Sequence, residues 1–97
     1  MSRKNNSNPP VSREVTVKNQ LGLHARPASM FVKMATRFKS DILVEKEGEE
    51  VNGKSIMGLM MLAAGHGTTL TVTAEGSDAA EAVDDLEGLV NRNFEEE

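Results

Sequence analysis

The residues best suited to chemistry fall in one octapeptide, Leu21-Gly22-Leu23-His24-Ala25-Arg26-Pro27-Ala28. Here an alternating segment gives way to helical spacing, so His24 and Arg26 fall at a helix N-terminus, among N–H groups with no intrahelical partner. Anions favour that position. Near pH 7 a neutral imidazole, with an unperturbed pKa of ~6.5, offers a nitrogen lone pair and can attack phosphorus without a separate base. Phosphoryl transfer asks mainly for positioning and electrostatic stabilisation, with attacking and leaving atoms in line. The N–H groups suit the equatorial oxygens, Arg26 adds a planar charged fork, and Gly22 permits a tight turn before the histidine. The plain alternative is a loop histidine that helps cap a helix. Against it stands Arg26, whose charge opposes the helix dipole unless an anion visits.

The other parts of a phosphotransferase are missing. No GxxxxGK[ST] loop occurs, and the two histidines lack acidic ligands at recognisable spacing. No metal and no cofactor are expected. His66, between Gly65 and Gly67, reads as an ordinary loop residue. Without cysteine, disulfides, thiolate metal sites and cysteine nucleophiles are excluded.

The elements that must position this site follow from periodicity. Glu14–Lys18 alternates, with Val15 and Val17 inward. From Ala25 the apolar residues Ala28, Phe31, Val32, Ala35 and Phe38 mark one helix face, with Pro27 in the first turn, where a missing N–H costs nothing. Ser29, Met30, Lys33 and Arg37 point away from it, which makes Met30 an exposed apolar residue. Asp41–Lys46 reads as a strand with Ile42 and Val44 inward, returning through Glu47-Gly48-Glu49 to a short partner at Glu50-Val51-Asn52.

Ser55 is a good N-cap for a short helix through about Leu62, which Gly58 weakens. Such a helix cannot bury Ile56, Met57, Met60 and Met61 all around, so Met57 and Met60 are expected to form, with Met30, a soft docking patch. Thr68–Ala74 alternates with Leu70, Val72 and Ala74 on one face and threonines on the other. Ser77 is the expected cap of a last helix, with Asp78 and Glu81 in its first turn. Its buried stripe is Ala79, Ala82, Val83, Leu86, Leu89 and Val90, and Asp84-Asp85…Glu87 reads as its solvated face. The order β-α-β-β-α-β-α, with one apolar face per strand, suits an open sheet covered by helices on one side and bare on its threonine face.

Ninety-seven residues suffice for one domain that buries roughly 65% of its unfolded surface. A formal charge of −4, without Trp or Tyr, argues against nucleic-acid binding. No apolar run approaches a membrane span and the first ten residues lack the apolar core of a signal peptide, so a soluble, cytoplasmic chain without membrane insertion is expected. Residues 1–12 read as a disordered tail, 13–93 as the domain, and 94–97 as an acidic C-terminal end in which Glu95-Glu96-Glu97 is solvated.

Two motifs in register, Gly22–Ala28 and Asn52-Gly53-Lys54-Ser55-Ile56-Met57-Gly58-Leu59-Met60, with Leu62-Ala63-Ala64-Gly65 after them, resemble the HPr family of histidine-containing phosphocarriers of the bacterial phosphoenolpyruvate-dependent phosphotransferase system. The resemblance covers about Glu14 to Val90. It implies an α+β open-faced β-sandwich, βαββαβα, with a four-stranded antiparallel sheet and three helices on one face. It further implies a monomeric carrier and not an enzyme. His24 would accept phosphate on Nδ1 from phosphorylated enzyme I, assisted by Arg26, and pass it to enzyme IIA proteins for sugar uptake. Met30, Lys33, Ile56, Met57 and Met60 would meet these partners. Ser55 matches a serine that a dedicated ATP-dependent kinase/phosphorylase modifies in many bacteria, a mark that can engage a transcriptional regulator. Two alternatives belong to the same resemblance: a nitrogen-related paralogue with other partners, and a purely regulatory binding module related to the catabolite-repression homologue that lacks the phosphorylatable histidine.

Overall fold

A computed structural model describes residues 9–95. Its elements are β1 (Val11–Thr16), α1 (Ala25–Ala35), β2 (Asp41–Lys46), β3 (Glu49–Asn52), α2 (Ile56–Met61), β4 (Thr69–Glu75) and α3 (Ala79–Asn91). The four strands form one antiparallel sheet in the order β1-β4-β2-β3, so β4 inserts between the two strands that α1 connects. This is the α+β open-faced sandwich that the sequence led us to expect.

Register places the apolar residues on a common face. Val15 pairs with Leu70, and Val72 with Val44, while Ile42 pairs with Ala74. All six are buried and meet Ala28, Phe31 and Ala35 of α1 and the whole expected stripe of α3. The other face carries Thr69, Thr71 and Thr73, and its hydroxyls reach β1, with Ser12 Oγ 2.8 Å from Thr73 Oγ1. β2 turns into β3 through two residues of positive φ, Glu47 (51°) and Gly48 (88°), the twist that a tight hairpin needs.

Several boundaries differ from expectation. β1 starts at Val11, because the alternation continues back to a pairing of Val11 with Ala74, so Val11 and Ser12 belong to the domain. Residues 1–8 of the expected tail lie outside the described residues. At the other end Phe94, 1% exposed, turns back into the core through a tight turn, Asn93–Glu95, with three successive positive φ values. That anchor falls in the C-terminal end that the sequence reading set outside the domain.

The cap of α3 is Asp78, not Ser77, and its side chain makes no cap bond. Its carboxylate instead accepts from the backbone N–H of Lys39 (2.8 Å) and Ser40 (3.0 Å) and from the Ser40 hydroxyl, tying α3 to the entrance of β2. These bonds, the Ser40 hydroxyl first, hold the carboxyl below its ordinary value of 3.8. Nor is the acidic run of α3 all solvated surface. Asp84 and Glu87 bind the guanidinium of Arg13 at 3.1 and 2.6 Å, pinning α3 to edge strand β1.

Candidate phosphoryl-acceptor site

His24 is the N-cap of α1, with extended backbone (φ −86°, ψ −167°) and no side-chain cap bond. The first helical hydrogen bond runs from Ala28 N to His24 O at 3.0 Å. Helix geometry therefore turns the N–H groups of Ala25 and Arg26 outward, Pro27 supplies none, and no acidic side chain occupies the first turn. Arg26 is exposed and, among the described residues, forms no ion pair. The imidazole is half-buried, with Nε2 sealed from solvent.

Two segments hold His24 there. Gly22 has φ +73°, and a Cβ on it would lie 2.5 Å from the carbonyl oxygen of Ala64 and 2.7 Å from Gly65 Cα, so the chain passes where only glycine fits. Leu23 N donates to Ala64 O at 2.8 Å. The 63–65 connection, with Ala63 at φ +53°, thus forms the second wall of a shallow depression of about 250 Å³ lined by Leu21, Leu23, His24, Ala63, Ala64 and Gly65. Lys46 Nζ secures that wall from the sheet side, donating to Leu62 O at 2.9 Å.

The same wall continues α2, which packs against α1. Ser55 caps α2, its Oγ accepting from Gly58 N at 3.0 Å, as its type and position predicted. Gly58 leaves room for that cap, since a Cβ there would stand 3.3 Å from Ser55 Oγ. Only Leu59 of this six-residue helix is buried. Met57 and Met60 are exposed as expected, and Ile56 and Met61 join them at 41% and 70%. Lys33 is exposed in the last turn of α1.

Met30 corrects the sequence reading. It is half-buried against the core, because α1 has α2 on one flank and α3 on another, and its covered arc is wider than one stripe. Leu21, 77% exposed on the rim of the depression, was missed; it sits in a turn, where no periodicity assigns a face. Asn19, in the turn between β1 and the octapeptide, was missed too; it is buried beside the site, its Nδ2 2.7 Å from Gly22 O. Among the described residues no group of three or more His, Asp or Glu could hold a metal ion, and no helix is long and apolar enough to cross a membrane.

The family model described as the PTS HPr component phosphorylation site matches residues 11–92. This chain belongs to the HPr family. It is 50% identical over 82 residues to the HPr-like protein Crh of Halalkalibacterium halodurans (84% of this chain, 98% of that one). To the phosphocarrier protein HPr of Neisseria meningitidis serogroup A it is 46% identical over 86 residues (89% and 97%). The crystal structure of HPr-C-His from Thermoanaerobacter tengcongensis superposes with a TM-score of 0.86 at 45% identity, covering 90% of this chain and 98% of that one. The family assignment supports a phosphoryl-carrier role in the phosphotransferase system and, at family level, a carrier in place of an enzyme.

Proposed function

We propose that the chain is a phosphoryl carrier that accepts a phosphoryl group on His24 from phosphorylated enzyme I and passes it to enzyme IIA proteins for sugar uptake. The observation that carries this reading is the setting of His24: a half-buried histidine N-cap at a helix start whose first N–H groups have no intrahelical partner, with an exposed arginine two residues on and no carboxylate in the turn. The neutral nitrogen attacks phosphorus, the bond to the donor's nitrogen breaks, and the electron pair leaves with the donor. The N–H groups of Ala25 and Arg26 and the Arg26 side chain hold the equatorial oxygens. In the resulting phosphoimidazole the ring is the leaving group for the next acceptor.

Partners dock on the apolar surface of Ile56, Met57 and Met60 and on Lys33, with Met30 lending shape from below. Ser55 is a regulatory site on this reading. A phosphate there adds about −1.5 to −2 charges beside the exposed methionines and disfavours docking, while α2 stays anchored by Leu59. The carrier acts as a monomer in the cytoplasm. The identity to Crh raises one rival, a purely regulatory binding protein, against which the presence of His24 argues, and the nitrogen-related paralogue shares the same chemistry with other partners.

One assay separates these. Phosphoenolpyruvate with sugar-type enzyme I gives one acid-labile, base-stable phosphate that is absent in His24→Ala. No labelling with any enzyme I favours the regulatory protein, and labelling by the nitrogen-type enzyme alone favours the paralogue. Ser55→Asp is expected to slow transfer from enzyme I while leaving the melting temperature nearly unchanged; unaltered kinetics would remove Ser55 from the interface.

A further inference from the structure

We infer that Asn19 is a positioning residue for His24, setting the orientation of the catalytic turn through the Gly22 carbonyl. Asn19 is one of two buried polar side chains among the described residues, 6% exposed. Its Nδ2 donates to Gly22 O at 2.7 Å, and the backbone N–H of His24 donates to the same oxygen at 3.0 Å. The Asn19 carbonyl in turn accepts from Gly22 N at 3.1 Å, which closes the turn on itself.

The geometry explains why a side chain is needed. The strand end is fixed at Val17, whose N–H donates to Thr68 O at 2.8 Å and whose carbonyl accepts from Gly67 N at 2.7 Å. Between Val17 and the helix, the peptide after Gly22 decides where His24 starts α1: its Leu23 N–H is held by Ala64 O at 2.8 Å, and its Gly22 carbonyl by Asn19 Nδ2 at 2.7 Å. The buried amide donor holds the carbonyl side of that peptide, as Ala64 holds its N–H side. It aims the carbonyl so that the His24 N–H can close on it, and this holds the imidazole beside the N–H groups of Ala25 and Arg26. Only an amide supplies both the donor and the neutral charge here. A carboxylate of the same shape accepts only, and would place two acceptor oxygens against each other.

This inference rests on the carrier reading for its kinetic arm, and a second arm does not. Asn19→Ala and Asn19→Asp are compared with wild type and with Leu86→Ala, a core truncation in α3 outside the turn. Each is assayed well below its own melting temperature. The Asn19 variants are expected to lower kcat for phosphorylation by enzyme I about 10- to 100-fold, the order that small misplacement of a reacting group costs. KM for enzyme I should stay within about twofold, because the exposed face of α2 is untouched, and Leu86→Ala should keep its kcat. In the second arm, hydrogen exchange at the His24 amide should speed at least about tenfold relative to the Val17 amide, since the oxygen that accepts it is no longer held. Should the alanine variant not fold, Asn19→Asp, which keeps the volume, carries both arms.

Unchanged kcat in the Asn19 variants, a loss that appears in KM, an equal loss in Leu86→Ala, or unaltered His24 exchange would overturn the inference. If wild type itself takes no phosphate, the carrier reading fails and the exchange arm still decides the role of Asn19.

Discussion

Replacing Gly22 by alanine tests how the site is held. At φ +73° an L-residue carries left-handed strain of about 1–2 kcal/mol. The added methyl also meets backbone at 2.5 and 2.7 Å, atoms of Ala64 and Gly65 that cannot swing aside as a side-chain tip would. Relief requires the 21–24 turn and the 63–65 wall to part, which gives up the Leu23–Ala64 hydrogen bond, worth about 0.5–1.5 kcal/mol. The sum is about 1.5–3.5 kcal/mol, or about 6–28 °C in melting temperature for a domain of this size.

Gly48 supplies the control. It has φ +88° and nothing within 4 Å of an added Cβ, so Gly48→Ala carries the strain alone. The entropy that alanine removes from the unfolded chain is common to both and cancels. Denaturant unfolding should therefore place Gly22→Ala about 1 kcal/mol or more below Gly48→Ala, and only Gly22→Ala should slow phosphorylation. Equal destabilisation of the two variants would refute the claim that contact between the two walls shapes the site.

The remaining predictions concern the parts around the site. Ser55→Ala should cost about 1 kcal/mol by loss of the α2 cap, read as a lower midpoint of unfolding, and no change would show that the Gly58 bond is idle. Met57→Ser and Met61→Ser, both at exposed positions, should leave stability within about 0.5 kcal/mol. Met57→Ser should also raise KM for enzyme I, and an unchanged KM would remove α2 from the docking surface. Asp78 has a depressed carboxyl pKa, so its stabilisation is present above the ordinary value of 3.8 and is lost as pH falls through the lower folded value. Asp78→Asn should therefore flatten the acid limb of a stability–pH profile below about pH 4, and an identical limb in both proteins would contradict the Ser40 and Lys39 bonds.

What the sequence disclosed, and what it withheld, follows from the range of each interaction. Alternation at Leu70-Thr71-Val72-Thr73-Ala74 and the stripe from Ala79 to Val90 are local patterns, so faces and element order were legible. The place of His24 at the start of α1 was legible from where alternation gives way to helical spacing, and the Ser55 cap from residue type. Phe94 was missed because its burial depends on three consecutive positive φ values that no propensity announces. Asp78 was assigned to the first turn of α3 because its partners, Lys39 and Ser40, lie nearly forty residues away. Met30 looked exposed because a single helical wheel cannot show a second flanking helix. Asn19 and Leu21 sit in a turn without period, where burial and exposure are decided by the opposing 63–65 wall and by the turn's own hydrogen bonds.

The central claim, that Nδ1 of His24 receives the phosphoryl group, is open to one direct measurement. With histidine ring nitrogens labelled with nitrogen-15, NMR spectra recorded before and after phosphorylation by enzyme I and phosphoenolpyruvate show which nitrogen acquires phosphorus. The account predicts a change at Nδ1 of His24, with phosphorus coupling at that nitrogen, and none at His66. Phosphorus on Nε2, on His66 or on a hydroxyl would contradict it.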